Sequence, residues 1–241
     1  MSIIRRPSAE RGREKISWLD SRHSFSFANY YDPRHMGFRN LRVINDDRVS
    51  PDAGFAPHGH RDMEIISYVV EGALAHEDST GGKGVIRRGD VQAMSAGTGV
   101  RHSEYNGSDK DAVRFLQIWI MPSQAGLPAQ YRQAHYSDES KTNQLRLLVE
   151  QDNNAIAGDG SDGQALGINQ DIKLYGSILE PRVTLTHNVA KGRGAWLQVV
   201  NGDITVNGQR LESGDGAAIE DVAELKIDAA AKSEFLLFDL A

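Results

Sequence analysis

The 241-residue sequence contains no cysteine. Disulfides, Cys-ligated zinc, iron–sulfur clusters and thiol catalysis are thereby excluded, and the lack of disulfides suits a reducing compartment. The sequence also lacks any apolar run near the ~18 residues of a membrane-spanning helix. Its best run, Phe115–Met121, has strand length. An apolar leader is missing as well. Arg5-Arg6 is followed by Pro7-Ser8-Ala9-Glu10-Arg11, so no signal peptide is read and a soluble cytoplasmic protein is expected. There is no excess of positive charge. Lys and Arg number 27 against 33 Asp and Glu, a net charge of −6, which argues against direct nucleic-acid binding or an anionic membrane.

What is present is ordinary globular composition, with 39% hydrophobic and 25% charged residues, so disorder of the whole chain is not expected. Glycine is the exception: 24 residues, above the usual ~7%. Pairs such as Glu71-Gly72, Gly89-Asp90, Asn207-Gly208 and Ser213-Gly214 punctuate short apolar stretches. That rhythm predicts an all-β sandwich or barrel. Strands are predicted at 40–44, 63–70, 84–86, 90–94, 113–120, 194–200, 204–206 and 234–238. Asn207-Gly208 predicts a two-residue hairpin. Helical signals are few. Residues 137–150 read as a short helix or an ordered connection, and Gln151–Asp171, rich in Asp, Asn and Gly, as a surface loop.

The sequence echoes itself. Val69-Val70-Glu71-Gly72-Ala73-Leu74 resembles Val199-Val200-Asn201-Gly202-Asp203-Ile204, and Arg88-Gly89-Asp90-Val91 resembles Ser213-Gly214-Asp215-Gly216. Two Gly-turn hairpins can match by chance, but these agree in order and nearly in spacing. The preferred reading is a duplicated β-barrel unit. It gives an N-terminal domain over 1–122, a connecting segment over 123–174 and a C-terminal domain over 175–241.

Chemistry concentrates in two short stretches. His58-Gly59-His60 places two imidazoles two residues apart, hence on one face of a strand. Glu64 has the same parity and follows on the same expected strand. His102-Ser103-Glu104 repeats the spacing some 40 residues later. If the two stretches pair or face each other, N and O ligands converge as a divalent metal requires. The alternative is histidines on surface loops. An all-N/O set suits Fe(II), with Zn, Mn, Ni, Cu and Co open. Parity permits either Glu64 or Glu104 as the carboxylate. The equivalent positions of the second repeat, Asn188, Ala190, Gly194, Ile227 and Ala229, cannot supply such a set, so that domain is expected to bind no metal.

The stretch from Gly54-Phe55-Ala56-Pro57-His58-Gly59-His60 to Gly72 resembles the first cupin motif, and that from Gly89-Asp90 to His102 the second. His23-Ser24-Phe25-Ser26-Phe27, Gly37-Phe38-Arg39-Asn40-Leu41-Arg42-Val43, Gly97-Thr98-Gly99-Val100-Arg101-His102-Ser103-Glu104 and Gln117-Ile118-Trp119-Ile120 resemble the pirin family of cupins. The resemblance spans nearly the whole chain, is sharpest over 20–122, and is strongest to bacterial pirin-like quercetin 2,3-dioxygenases. It implies an all-β bicupin, two jelly-roll-like barrels with few short helices. Carried over by motif, the metal ligands are His58, His60, His102 and Glu104. Glu64, where the common cupin pattern has its carboxylate, becomes a supporting or core-lining residue. The resemblance further implies a flavonol substrate, O₂, release of carbon monoxide, and Glu104 as the catalytic base. The alternative within the family is a metal-containing, redox-sensitive regulator that binds a protein partner.

The remaining features receive plain readings. His23 packs or caps within an aromatic loop. His35, His76 and His135 are surface or hydrogen-bonded residues, and His187 is an ordinary strand histidine. Phe25, Phe27, Tyr31 and Phe38 are core. Gly81-Gly82-Lys83-Gly84 lacks the spacing of a phosphate loop.

Overall fold

Glycine turns do divide the chain into short antiparallel strands. The computed structural model describes residues 2–152 and 163–241. In chain order the first strands are β1 (Ser2–Arg6), β2 (Gly12–Lys15), β3 (Leu19–His23), β4 (Leu41–Val49), β5 (Gly54–His60), β6 (Glu64–Glu71), β7 (Ala73–Asp78) and β8 (Lys83–Arg87). Next come β9 (Asp90–Ser95), β10 (Val100–Asn106), β11 (Val113–Ile120), β12 (Gln130–His135), the one-turn helix α1 (Asp138–Lys141), β13 (Arg146–Gln151) and β14 (Leu166–Ile168). The last are β15 (Ile172–Leu179), β16 (Thr184–Asn188), β17 (Gly194–Asn201), β18 (Asp203–Val206), β19 (Gln209–Glu212), β20 (Gly216–Glu220), β21 (Glu224–Ala229) and β22 (Ser233–Leu240). The protein is nearly all-β, and every strand expected from sequence is present, most of them longer by a residue or more. Both turn residues of the β18–β19 hairpin have positive φ, 46° at Asn207 and 86° at Gly208, the geometry that Asn-Gly favours.

Two readings need correction. The stretch 151–171 is not all loop: β14 is fully buried within it, while 153–162 lie outside the described residues. Tyr31 is not core, since it is 72% exposed.

The chain forms two compact units. One contains residues 2–11, Tyr136–Glu150 and Asp171–Ala241. The other contains Gly12–His135 with the described part of 151–170. The sequence division at 122 and 175 runs strictly in chain order, whereas the contacts interleave the segments. The first strand is the reason: β1 pairs along all of β20, from Ser2 opposite Glu220 to Arg6 opposite Gly216. In that unit a sheet ordered β1-β20-β17-β22-β15-β13 accompanies a four-stranded sheet, β16-β21-β18-β19. Leu197, Val199, Ile219, Phe235 and Leu237 of the large sheet meet Ile204, Leu211, Leu225 and Ile227 of the small one in a single apolar core.

The unit holding Gly12–His135 is built alike, from a seven-stranded sheet, β12-β9-β6-β11-β4-β3-β2, and a four-stranded sheet, β5-β10-β7-β8. Its core is interrupted. One apolar cluster gathers Leu19, Val49, Val69, Leu74, Ile86, Val113 and Phe115. Another gathers Ile65, Met94, Ala96 and Val100, with Trp119 against it. Between them runs a polar row. Gln133 lies opposite Gln92, Gln92 opposite Ser67, Ser67 opposite Gln117, Gln117 opposite Asn45, and Asn45 opposite His23. Directly opposed residues share a face, so this stripe of the large sheet, exposed at Gln133 and buried from Gln92 to His23, offers hydrogen bonds where its neighbours offer hydrocarbon. Buried polar groups are costly unless paired. The stripe therefore marks where something polar must be satisfied.

Candidate metal centre

The partners of that stripe come from β10 and β7. Along β10 alternation turns Val100, His102, Glu104 and Asn106 inward, all buried, with Arg101 and Tyr105 exposed between them. Strand β5 pairs with β10 and sets His102 opposite His58 and Val100 opposite His60. Its register shifts between the His58 and Phe55 positions. Phe55 and His58, three residues apart, could not both face inward on a regular strand. The bulge at Ala56-Pro57 absorbs the odd residue, and proline, with no N–H to lose, is suited to it. Phe55 thus joins the apolar cluster while His58 reaches the site.

Three imidazoles converge. The Nε2 atoms of His60 and His102 are 2.9 Å apart, and those of His102 and His58 are 3.0 Å apart. The Nδ1 of His58 lies 2.8 Å from the carbonyl oxygen of Ala56. A carbonyl only accepts, so Nδ1 carries the proton and Nε2 presents its lone pair to the cluster. Burial, reinforced by the neighbouring His58, pushes His60 down to about 4. Burial, with smaller contributions from His58, His60 and His76, pushes His102 down to about 3. The rings of His60 and His102 are thus neutral at physiological pH, the form that binds metals.

Glu104 is 2% exposed. Its Oε2 accepts from Gln117 Nε2 at 2.7 Å, and its Oε1 lies 3.3 Å from Ser67 Oγ, whose one proton it shares with Gln117 Oε1 at 3.0 Å. Both donors belong to the polar row. Burial pushes the carboxyl up to about 7 despite these two hydrogen bonds. A ligand oxygen of Glu104 lies within 4.8 Å of a ring nitrogen of His102 and of one of His76.

Glu64 departs from its expected place. It does not continue the strand of His58 and His60. β5 ends at His60, and Glu64 opens β6 in the other sheet. There it accepts from Ser95 Oγ at 2.6 Å and from Asn169 Nδ2 at 3.1 Å. Parity across 58–64 misled because the turn at 61–63, with Asp62 at φ 48°, lies between the two residues. Of the two metal-type clusters among the described residues, His58–His60–His102 and His76–His102–Glu104, the second contains Glu104 and neither contains Glu64.

The residues fit a divalent ion. With metal–nitrogen bonds of about 2.0–2.1 Å, two ligands at a right angle stand roughly 2.9 Å apart, the separation seen in both His pairs. Beside them, the Trp119 ring meets His60 edge-on at 4.9 Å, and Phe27 meets Trp119 at 5.3 Å.

His76, taken from sequence as a surface or hydrogen-bonded residue, is hydrogen-bonded, and its place beside His102 was not foreseen. It is fully buried, 2.8 Å from Asp78 through Nε2 and stacked on Tyr131 at 4.7 Å. Its only sequence signal is a two-residue step to an acid, H-x-D, on a strand between the two motifs. His23 is buried in the polar row, with Nδ1 2.8 Å from Asn45 Oδ1. His135 and His187 pair with Asp90 and Asp239, away from the cluster.

A two-unit β protein in which one unit gathers three imidazoles on adjacent strands is a bicupin. Residues 5–120 match the family described as Pirin, and residues 155–240 match the quercetinase C-terminal cupin domain. The chain belongs to the pirin family. It is 45% identical over 238 residues to a protein of Escherichia coli strain K12 named quercetin 2,3-dioxygenase, covering 99% of this chain and 98% of the relative. The crystal structure of YhhW from Escherichia coli superposes with a TM-score of 0.91 at 44% identity, over 100% of this chain and 98% of that one. That of the bacterial pirin YhhW in complex with nickel(II) gives 0.90 at 44% identity, over 99% of both chains.

Proposed function

We propose that this protein is a metal-dependent dioxygenase that opens the enolic ring of a flavonol such as quercetin with O₂ and releases carbon monoxide. The observation that carries this reading is the set of three Nε2 atoms gathered on β5 and β10. It occurs in a chain 45% identical along its length to a relative named quercetin 2,3-dioxygenase. His58, His60, His102 and Glu104 would hold one divalent ion. The relative's nickel(II) complex supports a first-row metal, and the all-N/O donor set suits Fe(II) equally. When bound, the ion supplies Lewis-acid stabilisation of an oxyanion at the substrate.

The chain's own residues do the rest. Burial keeps the imidazoles of His60 and His102 neutral. Gln117 and Ser67 orient the Glu104 carboxylate, which takes the proton of the flavonol 3-hydroxyl. The enolate so formed is the electron-rich partner across which O₂ adds before carbon monoxide leaves. Trp119 and Phe27 give the site an aromatic wall beside His60 for a planar substrate.

The test is metal-loaded protein mixed with quercetin in air-saturated buffer, following loss of flavonol absorbance and release of carbon monoxide. Turnover is expected from the wild type and loss of at least 100-fold from His58→Ala. Equal rates in the two proteins would remove the site from the chemistry.

A further inference from the structure

We infer that His76 is a positioning residue that holds His102 in the tautomer with a bare Nε2, through a buried relay Asp78–His76–His102. The inference rests on the metal-site reading above and deepens it.

β7 pairs with β10 so that Asp78 stands opposite His102 and His76 opposite Glu104. The side chains of His76 and Asp78 are 0% exposed. Asp78 spends Oδ1 on its own turn, accepting from Thr80 N at 2.8 Å, Thr80 Oγ1 at 2.6 Å and Gly82 N at 3.1 Å. These contacts fix Oδ2, which lies 2.8 Å from His76 Nε2. A carboxylate accepts, so Nε2 of His76 carries the proton and its Nδ1 is an acceptor. Two groups address that Nδ1: Gln92 Nε2 at 3.2 Å and His102 Nδ1 at 3.5 Å. With Nδ1 of His76 unprotonated, a proton on His102 Nδ1 is what makes the longer contact favourable beside Gln92, and that form leaves His102 Nε2 bare, facing the Nε2 atoms of His58 and His60. The Tyr131 ring stacks on His76 at 28° and holds its plane. Gly82 closes the space behind, since a Cβ there would come 2.2 Å from Asp78 Oδ2.

The same atoms bear on a competing reading of His76, His102 and Glu104 as a second metal site. Both ring nitrogens of His76 already have partners, so the ring is spent on orienting its neighbour. A ligand histidine whose other nitrogen is anchored in this way binds metal more tightly, and loss of such an anchor typically costs about 10–100-fold in affinity.

The test is a long-range ¹H–¹⁵N correlation spectrum of metal-free ¹⁵N-labelled protein, which reads each histidine's tautomer directly. It is paired with Ni(II) competition titrations against a chelator. In the wild type, His102 is expected protonated at Nδ1 and His76 at Nε2. His76→Asn, whose Oδ1 stands near the position of Nδ1, should keep the His102 tautomer and stay within about threefold of wild-type Ni(II) affinity. His76→Phe, with no acceptor, should move His102 toward the Nε2-protonated form and weaken Ni(II) binding about 10–100-fold. A wild-type spectrum with His102 protonated at Nε2, or with His76 doubly protonated, overturns the relay even if His76→Phe fails to fold. So does an unchanged His102 tautomer in a folded His76→Phe. If the wild type binds no Ni(II) while the tautomers behave as stated, the relay stands and the metal reading falls.

Discussion

At the scale of single residues, the unit's interior holds acids that differ in how they are satisfied. Glu104 and Glu64 each accept two hydrogen bonds. Asp47 is 4% exposed and leaves Oδ1 unpartnered. Burial, with Asp46, Glu104 and Glu14 nearby, pushes its carboxyl up to about 7 against a hydrogen bond with Ser21. The folded protein thus holds this proton well above the unfolded pKa of about 3.9. Its contribution to stability is fully present below that pKa and is lost as pH rises to about 7. The slope is at most about 1.4 kcal/mol per pH unit. Asp47→Asn should therefore flatten the stability profile between about pH 4 and pH 7, gaining on the wild type as pH rises. Urea unfolding at pH 4.5, 6 and 8 checks this. A stability difference that stays constant with pH would show that Asp47 is ionised in the fold.

At the scale of elements, the site depends on how closely β5 lies on β10. Gly54 sets the approach: an added Cβ would come 2.3 Å from the Glu104 carbonyl oxygen and 2.5 Å from Tyr105 Cα. Both are backbone, which cannot swing aside. Gly54→Ala should lift the start of β5, cost about 1–3 kcal/mol and weaken Ni(II) binding at least tenfold. Isothermal titration and thermal melts would show it, and wild-type affinity would mean the bulge at Ala56-Pro57 isolates the histidines from their strand's start. The same elements show what was legible in advance. His58-x-His60 and His102-x-Glu104 carried a one-sided ligand pattern because period two is a local property of a strand. The interleaved β1 and the buried β14 were not legible, since their partners lie far off in sequence. Nor was the place of Glu64, where a three-residue turn between sheets reset the parity. His76 stayed hidden because its meaning depends on cross-strand neighbours, Asp78 and Gln92 among them, that only pairing reveals. Tyr31 was misjudged because an aromatic in a loop carries no period to say which way it points.

At the scale of the whole molecule, two units share one plan, a large sheet and a four-stranded sheet around an apolar core. Among the described residues, only one carries the polar stripe. In the other, Ile227 and Ala229 hold the places that the internal echo aligns with His102 and Glu104, and both belong to its apolar core. Removal of residues 1–6 should destabilise that second unit, because β1 covers β20 and Arg5 bonds Asp215 at 2.8 Å. A lowered melting temperature would register this, and an unchanged melt would mean β1 adds nothing. Among the described residues no helix is long and apolar enough to cross a membrane. The central claim, that β5 and β10 deliver a divalent ion to one point, is tested most directly by an anomalous difference map collected at the absorption edge of the metal found in the purified protein. The account predicts one peak within about 2.3 Å of the Nε2 atoms of His58, His60 and His102 and of a Glu104 oxygen. A map with no peak there, or with the ion held elsewhere while these four side chains keep their hydrogen bonds, would contradict it.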